Sequence, residues 1–417
     1  MKKWMMSLAA LPVVMGSMSV SASAADGIDI FNDVSFSGEI RPRYEMADVK
    51  DNGLDTANAF TARTRLAVSA GLLGIEGLST KVGVTSVNNF GYTNYAPADP
   101  AYDTILDPQQ AILSEGYVAY TVSDTTLLAG RSFVNLDDQR FIGTVGWRQM
   151  ERSYDTVTVV NTSVKGLKLL GSWVYGYQGV NANPTTDTGS ALLNVNYKVA
   201  DALDIAVFDY MLANVDDTYG IRLTGSLPLE GVKLDYAASY AIQRDASLTY
   251  AQSSSLNPTV DASYYEVAVN ANISGILAGA EYEVLGDAQG DATNGFITPL
   301  ATLHKFQGWA DVFLGRTGGA TATSNANGIS DLNFNVGYAA AGFGKVLGVY
   351  HKFDALKGDK KDLGQEFDAL YANKVPGVNN LDFLAKAAFY TKGDTGIGSN
   401  YDVTKFWAEL DYKFATK

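Results

Sequence analysis

The chain is 417 residues long, with 31 Lys and Arg against 45 Asp and Glu, a formal charge of −14 and no cysteine. The missing cysteine excludes disulfide staples, thiol nucleophiles, iron–sulfur clusters and cysteine zinc sites, and the acidic balance excludes a nucleic-acid partner, whose phosphates it would repel. With 41 Gly, 24 Tyr and a mean hydropathy of −0.02, the composition suits a barrel that is apolar outside and wet inside.

The opening MKKWMMSLAALPVVMGSMSVSASAADG places Lys2 and Lys3 before an apolar core around Leu8–Val14 and a Ser-Ala-Ser-Ala stretch. That layout predicts a secretory signal peptide over 1–24, cleaved after Ala24 or Ala25, and a mature domain over 25–417. Pro12, Gly16 and several serines break the apolar stretch and argue against a membrane anchor. Loss of Lys2 and Lys3 moves the formal charge from −14 to −16. No later stretch reaches the ~18 to 20 uninterrupted apolar residues of a membrane helix.

The first strand signal is VSFSGEIRPRYEM. Val34, Phe36, Gly38, Ile40, Pro42, Tyr44 and Met46 alternate with Ser35, Ser37, Glu39, Arg41, Arg43 and Glu45. A period of two puts the sets on opposite faces of a strand. NAFTARTRLAVSA repeats it, with Phe60, Leu66 and Val68 against Arg63, Arg65 and Ser69. GLKLLGSWVYGYQ, GVKLDYAASYAIQ and YYEVAVNANI follow, and the chain closes with Phe406, Ala408, Leu410, Tyr412 and Phe414 alternating with Trp407, Glu409, Asp411 and Lys413. The runs are about ten residues long and often end in aromatics, near the ~9 to 11 residues of a tilted membrane-crossing strand; soluble strands are commonly ~5 to 6. The apolar face then meets lipid, the charges line a watery lumen, and closure leaves no unpaired backbone in hydrocarbon.

Short turns near Gly71–Glu76, Ser123–Thr125, Lys165–Gly166, Ala200–Ala202, Pro228–Gly231, Ser274–Gly275, Ala340–Gly342 and Asn373–Asn380 alternate with longer connections. About nineteen runs read as strands, but bacterial barrels use even counts. Assigning HKFQGWADVFLG to a long folded loop leaves eighteen; two hidden strands in Asp287–Ser330 would give twenty. The reading is all-β: a transmembrane antiparallel barrel of about 18 strands with short periplasmic turns and long extracellular loops. Pro42 removes a ladder hydrogen bond and predicts a local bulge.

FSGEIRPRYE (Phe36–Glu45), FTARTRL (Phe60–Leu66), LAGR (Leu128–Arg131), GWRQMERSYD (Gly146–Asp155) and HKFQGWAD (His304–Asp311), in that order, resemble the alginate-export-like outer-membrane barrels. FSGEIRPRYE and VVNTSVKGL carry a fainter likeness to the trimeric major outer-membrane porins. The resemblance implies a single-chain outer-membrane pore of about eighteen strands with an arginine-rich lumen, and it draws attention to His304, Lys305, Trp309 and Asp311. The trimeric likeness leaves a homotrimer open. One departure is that Ala-Thr-Lys follows the last aromatic, Phe414, where such barrels commonly end on the aromatic itself.

Eight of the eleven arginines precede residue 153. Alternation puts Arg41, Arg43, Arg63 and Arg65 on one lumen wall, with Arg131 expected to join from a third strand. Guanidiniums bind carboxylate, phosphate or sulfate through paired hydrogen bonds, which would favour anions in a narrow pore. In the rival reading Glu39, Glu45 and Glu115 neutralise them and the ladder merely braces the barrel. The connection Ser132–Ser153 carries Arg148 and Arg152 beside Phe141, Ile142 and Trp147, and is expected to fold into the lumen rather than meet a second subunit. His304 and His351 lie in no HExxH or i, i+4 metal spacing, and GxSxG and P-loop signatures are missing. No enzyme, metal or cofactor is called for. The expected function is passive diffusion of small hydrophilic solutes, anions favoured, across the bacterial outer membrane; a polysaccharide-export pore and an outer-membrane enzyme or adhesin barrel are the alternatives.

Overall fold

The computed structural model describes residues 29–181, 183–200, 202–251, 258–314, 326–394 and 399–416; the expected signal peptide lies outside them. The strands in chain order are β1(Phe31–Val49), β2(Ala57–Leu72), β3(Leu78–Asn88), β4(Gln110–Val122), β5(Thr125–Ser132) and β6(Ser153–Asn161). β7(Leu167–Gln178), β8(Thr186–Ala200), β9(Leu203–Leu212), β10(Asp216–Leu229), β11(Val232–Arg244) and β12(Asp261–Ile273) follow. The last six are β13(Ile276–Leu285), β14(Ile329–Ala340), β15(Gly344–Asp354), β16(Asp362–Lys374), β17(Leu381–Thr391) and β18(Val403–Ala415). Each strand pairs antiparallel with its chain neighbours, and β1 also pairs with β18, so the 18-stranded sheet closes on itself. The eighteen-strand count is therefore met.

Closure follows from the alternation. Phe36, Ile40 and Tyr44 of β1 and Leu66 and Val68 of β2 point outward, while Glu39, Arg41, Arg43, Glu45 and Arg63 are buried inside. Val267 and Val336, 55% and 64% exposed, belong to the same outer belt. The end carrying both termini has turns of two to six residues; the other has longer loops, of 21 residues between β3 and β4 and 20 between β5 and β6. At the short-turn end Tyr338, Phe343, Tyr371 and Phe383 stand ring beside ring at 5.6–6.2 Å, as in an interfacial aromatic girdle.

The bulge expected at Pro42 does not form. β1 and β2 pair without a break through Pro42↔Ala62. On the other side the ladder passes from Ile40↔Tyr412 to Arg43↔Glu409 in unchanged register, skipping only Arg41 and Pro42. The seam absorbs the missing N–H as a short gap. The residues after Phe414 extend the seam: Ser37 pairs with Ala415, and Thr416 N–H donates to the Phe36 carbonyl at 2.8 Å.

The lumen is not uniformly polar. Three long connections fold inward: the β3–β4 loop (89–109), the β5–β6 loop (133–152) and the described parts of the β13–β14 loop (286–314 and 326–328), which hold a short 3-10 turn at Leu303–Lys305. Leu136 and Ile142 of one and Phe296, Ile297 and Leu300 of another pack with wall residues Phe208, Tyr210 and Tyr264 into an apolar core inside the barrel. Phe141 sits at its centre, 5.2 Å from Phe208 and from Tyr264. The reading of HKFQGWAD as loop holds, and so does the inward fold of Ser132–Ser153. Charges line the lumen along β1 and β2, whereas β9 and β12 present Phe208, Tyr210 and Tyr264 to it.

Candidate functional site

β1 and β2 deliver the arginines and the β5–β6 loop receives them. Arg41 donates to the carbonyls of Gly146 (3.1 Å) and Arg148 (2.5 Å) and to Gln149 Oε1 (3.2 Å), with Glu409 at 3.5 Å. Arg43 is fully buried. It takes Glu409 Oε2 at 2.6–2.8 Å, donates to the Trp147 carbonyl, lies 3.5 Å from Asp107, and stacks 4.2 Å over the Trp147 ring. Arg63 bonds Glu39 and, at 2.9 Å, Glu151; Arg65 reaches Glu151 at 2.9 Å and Glu39 at 3.7 Å. Burial alone would raise the Glu151 carboxyl, but the guanidiniums of Arg65 and Arg63 reverse this and hold it below its ordinary range.

The loop answers with its own cation. Arg148 reaches Glu45 of β1 at 3.1 and 3.2 Å, Asp311 of the β13–β14 loop at 2.9 Å and Asp107 of the β3–β4 loop at 3.9 Å. One guanidinium thus joins all three inward loops to the wall. Burial would lower its pKa; Glu45, Asp107 and Asp311 more than compensate, and it is raised. Arg152 donates to the carbonyls of Gly143 (3.2 Å) and Pro299 (3.3 Å) and to the Tyr154 hydroxyl of β6 (3.5 Å), tying two loops together. Gly143 itself lies where a Cβ would strike Thr302, so the loops can approach only because that side chain is hydrogen.

Two expected members stand apart. Arg131 forms a bidentate pair with Asp155 (2.7 Å twice) and bonds Thr185, with no contact to the four wall arginines. Three strand positions separate it from β2, and its partner one strand over claims it. Glu115 pairs with Lys81 at 2.9 Å and neutralises none of the arginines.

The β13–β14 loop brings the four residues of HKFQGWAD to the same place. His304 stacks on Trp147 at 4.4 Å and 3° and shares 2.9 Å with Asp311 Oδ1 through Nδ1. Its Nε2 faces Lys386 Nζ of β17 at 2.7 Å. An ammonium has only donors, so Nε2 accepts and the Nδ1 proton goes to Asp311. Burial, with Lys386 and Arg148, outweighs Asp311 and keeps His304 well below its usual pKa; burial raises Asp311, but His304, Lys405 and Arg148 bring it strongly down. The Trp309 N–H donates to Asp368 (3.2 Å) and the Ala310 N–H to Glu366 (2.7 Å). Lys305 donates to the Asp138 carbonyl at 2.9 Å.

Beneath these loops, toward the short-turn end, lies a cavity of about 940 Å³ whose lining includes Arg41, Trp147, His304, Trp309, Lys386 and Glu281. Sequence reasoning missed Asp107, Gln149, Glu151, Lys386, Asp368 and Glu366. Lys386 had a signal, being a lone lysine on the lumen face of LDFLAKAAFYT. Among the described residues no cluster of three or more His, Asp or Glu could hold a metal ion.

No family model and no curated protein matches the sequence. Solved structures do match. Acinetobacter baumannii OccAB2 superposes with a TM-score of 0.72 at 14% identity, covering 93% of this chain and 100% of that one. Pseudomonas aeruginosa OccK8 (OprE) gives 0.69 at 15%, covering 92% and 99%. P. aeruginosa OpdK, solved with vanillate, gives 0.69 at 14%, covering 93% and 100%. The fold is that of the Occ/OprD outer-membrane porins. The alginate-export-like resemblance is not supported. The motifs that carried it encode inward arginines and the loop that accepts them, which is barrel architecture and not a family mark.

Proposed function

We propose that this chain is a porin of the bacterial outer membrane, passing small hydrophilic solutes by diffusion through a lumen narrowed by its inward loops, with anions favoured. The observation that carries it is the closed barrel with an apolar outer belt around a cavity of about 940 Å³. Arg43, Arg63 and Arg65 are committed to loop carbonyls and carboxylates and do not line the cavity, so preference for anions falls to the cations that do: Arg41, itself tied to the β5–β6 loop, and Lys233, Lys305, Lys345 and Lys386. Vanillate, held by OpdK, is a small carboxylate of the kind these cations would attract. Glu281 and Asp331, which line the same cavity, keep binding weak enough for release.

Liposome swelling tests this: vesicles holding the protein swell in isotonic sodium vanillate or glucose, faster in the carboxylate, and protein-free vesicles do not. No swelling in any small solute would refute it. Export through a signal peptide over 1–24 completes the reading and is tested by N-terminal sequencing of the mature protein. A homotrimer predicts a detergent-solubilised mass of three chains.

A further inference from the structure

Lys386 differs from the lumen arginines. Among the described residues no carboxylate lies within ion-pair distance of its ammonium; its neighbours are aromatic. Nζ lies 3.8 Å from the Trp309 ring centre, 4.1 Å from Trp147 and 5.4 Å from Trp407, besides its bond to His304. Trp147 belongs to the β5–β6 loop, Trp309 and His304 to the β13–β14 loop, and Trp407 to the β18 wall. One ammonium therefore clamps two of the three inward loops, β5–β6 and β13–β14, to the barrel, held by the negative faces of three indoles.

A second place for that ammonium lies on the neighbouring strand. Leu370 of β16 is opposite Lys386 and Asp368 is opposite Ala388, so Asp368 is the diagonal neighbour of Lys386 on the same face. Such neighbours are about 7–8 Å apart, within reach of a lysine side chain. Asp368 Oδ1 and Glu366 Oε2 are buried and receive no N–H from loop or wall; the two carboxyls have each other, with His351 Nε2 3.6 Å from Asp368. Their other oxygens hold the Trp309 and Ala310 N–H groups of the same loop. The indole box satisfies the ammonium and leaves two buried carboxyls set against each other with no ammonium on them; a move to the carboxyls would supply one and empty the box.

We propose that Lys386 is the positioning residue of the constriction, a pin with two seats. Seated among Trp147, Trp309 and Trp407 it clamps the loops together; seated on Asp368 and Glu366 it frees Trp147 and widens the path into the cavity. This rests on the channel reading.

Single-channel recording in planar bilayers tests it, using Asp368→Asn and Lys386→Met and only preparations whose heat-modifiable migration shows a folded barrel. Asparagine keeps an oxygen for the Trp309 N–H but loses the charge that draws the lysine. The wild type alternates between two current levels. Asp368→Asn leaves both amplitudes unchanged and cuts dwell in the larger about tenfold, as weakening one seat by a modest charge interaction requires. Lys386→Met shows a single level. A steady wild-type level, wild-type dwell times in Asp368→Asn, or two levels in Lys386→Met would each overturn the pin while leaving the channel standing. A folded barrel that never conducts overturns both.

Discussion

Arg148→Met removes the cation at the meeting point of three loops. The side chain is 5% exposed and serves Glu45, Asp311 and Asp107. Methionine fills much of the same space but leaves three buried carboxylates short of a partner. Breaking a buried ion pair from one side costs about 3–5 kcal/mol. At about 1.4 kcal/mol per factor of ten, the population with these loops undocked rises by about two to three and a half orders of magnitude. The barrel ladder is untouched, so the folded, heat-modifiable band persists while the β5–β6 and β13–β14 loops become cleavable by trypsin from outside and open-channel current noise grows. Adding Asp311→Asn removes one stranded charge and restores part of the protection. Wild-type protease resistance and noise in Arg148→Met would show that this guanidinium does not hold the loops.

Other outcomes follow from the same contacts. Trp147→Ala removes the ring between Arg43, His304 and Lys386; losing about 3–5 kcal/mol of packing, it is expected to raise vanillate-driven swelling severalfold. Arg41→Gln with Lys386→Met shifts the reversal potential in a salt gradient toward cations, whereas Arg131→Gln, whose partner is Asp155, leaves it unchanged; the opposite pattern would place selectivity elsewhere. Burial, with Lys386 and Arg148, keeps His304 below its ordinary value despite Asp311. The undocked loop, with a histidine near the usual ~6.5, therefore binds a proton that the docked loop does not. Docking is insensitive to pH above about 6.5 and weakens as pH falls below it, by up to about tenfold per unit. Protease sensitivity of the β13–β14 loop reads this out, and a flat profile from pH 7 to 5 would contradict it.

The strands were legible because lipid and lumen impose opposite chemistry on alternate residues, so Ile40 and Arg41, or Glu409 and Leu410, declare their faces without help. The even strand count of such barrels pointed to HKFQGWAD as a loop, with two more strands in Asp287–Ser330 as the other way to reach an even number. Alternation gives a face, however, and not a partner. Arg43 meets Glu409 only because β1 closes on β18, and it meets Asp107 only because a loop 60 residues on folds inward. Arg131 was placed with the wall arginines on face alone, yet Asp155 lies directly opposite in the ladder and takes it. The apolar core around Phe141 was hidden for the same reason. Phe208 and Tyr210 break the polar-inside rule in a strand whose inward loop partners are far away in sequence. Pro42 was read against an ideal ladder, and the seam tolerates a gap that a bulge would otherwise have filled.

The most direct measurement concerns which face of the strands is wet, and the lack of native cysteine makes it clean. Spin labels on Val267→Cys and Val336→Cys should relax with dissolved oxygen in reconstituted bilayers and ignore a water-soluble nickel chelate. Labels on Asn333→Cys and Asn335→Cys should respond to the chelate. Chelate access at the valine positions, or oxygen-dominated relaxation at the asparagine positions, would contradict the barrel's inside and outside as described.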